Sequence, residues 1–299
     1  MTFRVAAAPI TWGVCELPGW GAVPPPERVL DEMAAAGFQG TELGSPGFLP
    51  EDAKTLRAEL HKRALQLVGA FCPLPLSAPD GGAAAIHETL GLARLLADAG
   101  CETLVAADAG DDERRAVAGR VHFDNALAEA QWHRAGAALD ELADRCAPLG
   151  VRVVFHPHAG TYVETQQELD ALMTATSPAR VGLCLDTGHL AYGGADPVEV
   201  ADRYASRVRH VHVKDVSARV LARVRDQGIE YSQAVGEGVF APLGEGSIDF
   251  ATLVRRLVAR GYDGWWVLEQ DIRLGPPWPP RDPAANARNG LRYLRSLAA

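Results

Sequence analysis

Residues 181–216 read VGLCLDTGHLAYGGADPVEVADRYASRVRHVHVKDV. Two apolar runs, at 181–186 and 208–213, bracket an amphipathic segment at 197–206. Continuous apolar runs suit strands covered on both faces, so this stretch predicts a strand–helix–strand unit of a parallel sheet. The same alternation runs outward to both ends of the chain. Strand-like runs fall at 3–8, 40–43, 66–71, 103–107, 151–156 and 264–269, with helix-like segments at 26–36, 51–64, 84–99, 122–149, 166–176, 250–260 and 283–297. Gly37, Gly100, Gly150 and Gly261 each stand just past a helical segment, where a left-handed C-cap is wanted. Eight such pairs in 299 residues, with no linker-like break, predict an α/β fold: a single (β/α)8 TIM barrel over residues 1–299.

The spare length goes into three segments that follow strands, 108–121, 215–248 and 271–281, and therefore belong on the C-terminal face, where barrels of this kind place their sites. The longest, about 215–248, is an insertion after the seventh strand. It contains a predicted helix at 218–227 and the run GEGVFAPLGEG at 236–246. Those glycines read as turns, because neither Rossmann spacing nor a P-loop lysine accompanies them.

Composition narrows the function classes. With 47% hydrophobic and 22% charged residues the chain is ordinary for a globular protein, which excludes disordered, collagen-like and coiled-coil readings. Twenty-nine basic against 38 acidic residues leave a net charge of −9, which disfavours nucleic-acid or anionic-membrane partners. The five cysteines, Cys15, Cys72, Cys101, Cys146 and Cys184, form no CxxC, so neither a zinc knuckle nor a disulfide framework is indicated and a cytoplasmic location is expected. Residues 1–15 read as a first strand and not as a secretory leader. No stretch reaches the roughly 18 apolar residues of a membrane helix.

Polar residues at strand C-termini carry the chemistry of a barrel. The sixth strand ends in LDTGH, offering Asp186 and His189. In the seventh, HVHVKD, alternation puts His210, His212 and Lys214 on one face. The fifth ends FHPHAGT with His156 and His158, and the eighth ends VLEQD with Glu269 and Asp271. Alone, each has a bland reading: a hydrogen-bonded histidine, or an aspartate capping a turn or helix. Together, four adjacent strands deliver His, Asp, His and Glu to one quadrant of the mouth, a mixed nitrogen and oxygen set suited to a divalent Mn²⁺, Co²⁺, Fe²⁺, Zn²⁺ or Mg²⁺.

At these residues the sequence resembles the xylose-isomerase-like barrel superfamily of sugar isomerases, epimerases, dehydratases and endonuclease IV. Within it, APITWGVCELPGWG (8–21), FHPHAGTYVET (155–165), DTGHLAYGGADPVEVADRYASRVRHVHVKDV (186–216) and YSQAVGEGVFAPLGEGSIDF (231–250) resemble the inosose (2-keto-myo-inositol) dehydratase family. The resemblance implies metal ligands at Asp186, His212 and Glu269. The fourth place, usually a glutamate ending the fifth strand, is held here by His156, with His158 left open as an alternative. In many isomerases and epimerases of the superfamily two glutamates, from the fifth and eighth strands, handle protons on opposite faces of the substrate; His156 puts that arrangement in doubt, whereas a dehydratase is compatible with it.

What the resemblance implies is a metal-dependent lyase, with Mn²⁺ or Co²⁺, acting on a cyclic polyol ketone by enediolate formation and β-elimination of water. The alternative is a metal-dependent sugar or keto-inositol isomerase or epimerase. The acidic balance disfavours an endonuclease, and a non-catalytic sugar-binding barrel would not need an intact ligand set. Members of the superfamily self-associate, so a homo-oligomer is compatible. His158, His189 and Lys214 are the candidates for proton transfer, with acid and base roles undivided. Only three lysines, Lys54, Lys62 and Lys214, stand against 26 arginines, so a lysine beside the ligand strand points to a need for a compact ammonium; the bland reading is a simple pair with Asp215 or another carboxylate. Trp12 is a candidate apolar platform for the substrate ring, or else loop packing. Glu42 is a candidate for binding substrate hydroxyls, or else half of an ion pair.

Overall fold

In the computed structural model, which describes residues 3–297, ten strands follow in chain order. They are β1 (Arg4–Ala7), β2 (Gly40–Glu42), β3 (Gln66–Leu74), β4 (Thr103–Asp108), β5 (Arg152–Phe155), β6 (Val181–Asp186), β7 (Val208–Val213), β8 (Asp215–Val216), β9 (Phe240–Ala241) and β10 (Trp265–Leu268). Eight of them close a parallel barrel in the order β1-β2-β3-β4-β5-β6-β7-β10, with β10 pairing back onto β1; β8 and β9 form a separate antiparallel ribbon. The fold is thus the (β/α)8 barrel expected from the apolar runs.

Alternation along the strands divides the side chains between two cores. Outward residues such as Val153, Phe155, Leu183, Leu185, Val211 and Val213 pack under the surrounding helices. The helix Phe250–Ala259 is representative, burying Phe250, Leu253, Val254 and Leu257 at helical spacing. Inward residues are small: Ala6, Ala8, Val68 and Val267 form one cluster, and Val105, Val154 and Cys184 another. Small residues below leave room for larger polar groups at the mouth.

The structure departs from the sequence reading mainly in the loops. The helix expected over 122–149 is Glu129–Cys146, flanked by short 3-10 turns. A short helix Thr187–Tyr192 follows β6 directly, capped by Asp186 itself. The insertion holds the expected helix Ala218–Gln227 and a second one, Tyr231–Gly236, which is too short to show a periodicity. The glycine-rich run wraps an internal carboxylate: Asp215 accepts the backbone N–H groups of Gly244 (3.0 Å), Gly246 (2.9 Å) and Ile248 (3.2 Å). Any Cβ at Gly246 would lie 2.1 Å from the Asp215 carboxylate, so only glycine can approach so closely. No helix among the described residues is long and apolar enough to cross a membrane.

The loops after β4 and β5 are locked together by buried polar contacts. Arg114 pairs with Glu168 (2.9 Å), and Glu164 accepts the N–H of Gly119 (2.6 Å) and of Gly160 (2.5 Å). Burial pushes the Glu164 carboxyl from 4.5 up to about 7, with the two glycine amides and Arg114 only partly offsetting it. The folded protein therefore holds a proton that the unfolded chain releases near 4.5, so this contribution to stability is full at low pH and is lost as the pH rises towards and through about 7. Thermal melts between pH 5 and 8.5 should show the wild type losing stability across that interval and Glu164→Gln losing less; parallel curves would show that the carboxyl does not titrate there.

Candidate metal centre

The motif LDTGH builds one side of the mouth residue by residue. Asp186 ends β6 with its two oxygens divided: Oδ1 accepts the His189 N–H (2.8 Å) and caps the short helix, while Oδ2 faces the barrel axis. Capping and ligation are therefore both open to it. Thr187 Oγ1 donates to the Lys214 carbonyl (2.7 Å) and accepts the Lys214 N–H (2.9 Å), which pins the end of β6 to the end of β7. Gly188 makes room, since a Cβ there would sit 2.5 Å from Lys214 Cγ. His189 then enters the cavity.

Around the Asp186 Oδ2 oxygen four side chains converge. His156 Nε2 lies 3.2 Å away and His212 Nδ1 3.5 Å; Glu269 Oε2 is 3.1 Å from that same His212 nitrogen. One ligand atom from each of His156, Asp186, His212 and Glu269 falls within a sphere of mutual separations under 4.8 Å. All four are buried, at 0–7% exposure, so their charges have no water to lean on.

His212 shows why this group suits a metal ion. Its Nε2 donates to the Glu42 carboxylate at 3.0 Å, which leaves Nδ1 as the atom that takes up a cation, a proton or a metal ion. Nδ1 is buried and makes no hydrogen bond, yet it lies between the carboxylates of Glu269 and Asp186. Burial opposes a charge on this ring, but Cys184, Glu269 and Glu42 raise the His212 pKa well above 6.5, the mark of a pocket that attracts a cation. A divalent ion there meets two imidazoles and two carboxylates, so the residues fit the group that the resemblance implies.

Glu42 reaches across the barrel interior from β2, and its Oε1 takes both His212 Nε2 and His210 Nε2 (2.8 Å). Gly69 allows this, because a Cβ there would stand 2.8 Å from that oxygen. Burial opposes its charge, but His212 and His210 hold the Glu42 carboxyl well below the usual range. Glu42 lines the cavity, as expected for a substrate-binding residue, but the oxygen facing the centre is spent on the two histidines.

The three candidates for proton transfer stand beside the quartet. Lys214 Nζ lies 3.3 Å from Asp186, 3.0 Å from Glu269, 2.8 Å from Asp271 and 2.8 Å from His189 Nε2. Burial acts against its charge, but Asp186, Asp271 and Glu269 raise its pKa above the ordinary lysine value. Asp215, considered as its partner from sequence, is held instead in the cradle of backbone amides. His158 and His189 rings pack 3.8 Å apart between centroids, and burial with neighbouring cations keeps both neutral, His158 pushed down to about 3.

Trp12 does not belong to the cavity wall. It is 1% exposed, and its indole N–H donates to Glu32 (2.7 Å), so it packs the first loop onto the helix Pro26–Ala36. The apolar platform comes from Trp20, Phe71 and Leu17 instead. Two further polar residues complete the wall: Asp271, noted at a strand end, and Tyr231 from the insertion, which no spacing pattern singled out.

A closed parallel barrel with His156, Asp186, His212 and Glu269 clustered at the ends of β5, β6, β7 and β10 is the arrangement of a xylose isomerase-like TIM barrel, and the profile of that family matches residues 30–297. Among characterised relatives the chain is 36% identical to an inosose dehydratase of Geobacillus kaustophilus over 282 residues, covering 92% of this chain and 90% of that protein. It is 37% identical to the rhizopine catabolism protein MocC of Rhizobium meliloti, covering 91% and 82%. The chain belongs to the inosose dehydratase family. Solved structures share the fold at lower identity: L-ribulose 3-epimerase (TM-score 0.71, 19% identity, 99% of this chain and 96% of that one) and the IolI protein with a bound zinc atom (TM-score 0.69, 16%, 99% and 98%).

Removing His212 or Glu269 by substitution with alanine should abolish bound metal in elemental analysis while circular dichroism stays unchanged. Glu42→Gln, which weakens the hold on His212, should lower metal affinity by about 10–100-fold in a chelator competition. Full metal content in the alanine variants would overturn the ligand assignment.

Proposed function

We propose that the protein is a metal-dependent hydro-lyase that dehydrates 2-keto-myo-inositol, or a close cyclic polyol ketone, in inositol catabolism. The observation that carries this reading is one cavity in which the quartet His156, Asp186, His212 and Glu269 is lined by neutral imidazoles and a buried ammonium. A divalent ion held by His156, Asp186, His212 and Glu269, for which Mn²⁺ or Co²⁺ is our choice, would supply Lewis acidity towards the negative charge developing on the ketone oxygen. The mixed imidazole and carboxylate donor set accommodates either ion, and the choice comes from the family resemblance.

The chain's own groups divide the proton work. His158 Nδ1 lies 2.8 Å from the Ala159 carbonyl, which can only accept, so the ring proton sits on Nδ1 and Nε2 keeps its lone pair. His158 Nε2 is thus the base for the proton α to the ketone. As that C–H bond breaks, its electron pair forms the enolate of the ketone; the enolate then forms the ring C=C bond as the C–O bond of the β-hydroxyl breaks, and the departing hydroxide takes a proton from the Lys214 ammonium. The resulting enol ketonises to a 1,2-diketone. Lys214, an ammonium that can only donate, lies 2.8 Å from His189 Nε2, so that nitrogen accepts its hydrogen bond. We assign His189 to holding His158 by stacking and to positioning the Lys214 ammonium.

An epimerase would need a further carboxylate at the fifth strand, where His156 instead joins the quartet. The substrate is a small neutral molecule on this reading: among the described residues lining the cavity there is no arginine, and the one lysine is shared by three carboxylates. A cytoplasmic location is part of the proposal, supported by five unpaired cysteines.

Mass spectrometry of 2-keto-myo-inositol incubated with Mn²⁺-loaded protein should show loss of one water, absent in a chelator control; a new isobaric product would mean isomerisation instead. His158→Gln should keep its metal, lose about 10²–10⁴-fold in rate, and cease to wash solvent deuterium into the α position. Wild-type exchange in that variant would remove His158 from the base role.

A further inference from the structure

We propose that Tyr231, delivered by the insertion between β7 and β10, binds a ring hydroxyl of the substrate together with Asp271 and selects for the fully hydroxylated ring. The inference rests on the dehydratase reading and deepens it. Tyr231 is 5% exposed and lines the cavity, and the elimination makes no use of it. Its hydroxyl donates to Asp271 Oδ2 (3.0 Å), while Asp271 Oδ1 lies 2.8 Å from Lys214 Nζ. With the phenolic proton committed, the Tyr231 oxygen presents lone pairs next to an acceptor-only carboxylate. Two adjacent acceptors match the donors of neighbouring hydroxyls on a polyol ring.

The chain invests several contacts in placing this one hydroxyl. Glu230 accepts the N–H groups of Ser232 (2.9 Å) and Gln233 (3.2 Å), so the short helix Tyr231–Gly236 starts at Tyr231. Its far end lies against Trp278, whose ring is 2.2 Å from where a Gly236 Cβ would be. The Tyr231 ring is held between Tyr192 (5.6 Å) and His158 (5.7 Å). A phenylalanine would fill the same space; the hydroxyl is there for a polar partner.

The test compares wild type and Tyr231→Phe on 2-keto-myo-inositol and on its mono-deoxy analogues, each lacking one hydroxyl away from the reacting carbons. Wild type should lose about tenfold in kcat/KM on one analogue; Tyr231→Phe should lose about tenfold on the full substrate and nothing further on that analogue, with metal content unchanged. A packing defect would lower both activities and preserve the discrimination, which would overturn the proposal, as would a variant within twofold of wild type on the full substrate. Calorimetric binding of myo-inositol, which has no ketone to react, to Zn²⁺-loaded protein is the second readout, with about tenfold weaker binding expected for the variant and equal binding contradicting the role. If wild type binds myo-inositol but does not dehydrate the ketone, the dehydratase reading fails and Tyr231 is judged by the binding comparison. If it does neither, both fall.

Discussion

Four carboxylates, Glu42, Asp186, Glu269 and Asp271, lie buried at one end of a closed barrel, none more than 7% exposed. Such a concentration of negative charge away from water is tolerable only if cations and hydrogen-bond donors are built around it. The chain supplies one ammonium, Lys214, and four imidazoles, from His156, His189, His210 and His212. One ammonium cannot balance four carboxylates, and the geometry at His212 Nδ1 marks where further positive charge belongs. Much else in the fold follows from this demand: small side chains inside the barrel give the imidazoles room, Gly69 lets Glu42 cross to β7, and Gly188 lets Lys214 pass.

The barrel meets the demand by placing its polar residues at the one level where parallel strands all end together. β6 and β7 carry most of it, cross-pinned through Thr187, and β10 and β5 flank them with Glu269 and His156. Glu42 arrives from the opposite side and buttresses His212 from below. The site is thus held on strands, with loops adding the wall that touches a ligand. That division suits a centre whose cation must stay fixed while substrate binds and product leaves.

What was legible in the sequence follows the same division. Strand ends announce themselves as a polar residue after an apolar run, so His156, Asp186, His212 and Glu269 could be picked out and the structure brings them together. Alternation also put His210, His212 and Lys214 on one face, but it could not say that Glu42 reaches across the barrel to the first two, because that contact spans 168 and 170 residues of chain. Trp12 could not be placed from sequence, since it sits in an irregular loop; the 3-10 turn Pro9–Trp12 turns it onto the helix Pro26–Ala36, and Trp20 from the same loop lines the cavity. Tyr231 was invisible for a related reason. It heads a six-residue helix inside an insertion, where neither period nor motif gives a direction.

The identity of the one buried cation has its own logic. A guanidinium presents five donors in a rigid plane, whereas the oxygens of Asp186, Glu269 and Asp271 and the Nε2 atom of His189 gather around a single point, which suits a compact ammonium. A chain that uses arginine in 26 of 29 basic positions keeps a lysine here because only its shape satisfies that arrangement. Two of the three carboxylates, Asp186 and Glu269, belong also to the quartet of candidate ligands, while the third, Asp271, accepts the Tyr231 hydroxyl. The insertion after β7 thereby becomes part of the charge balance of the mouth and not merely a cover over it.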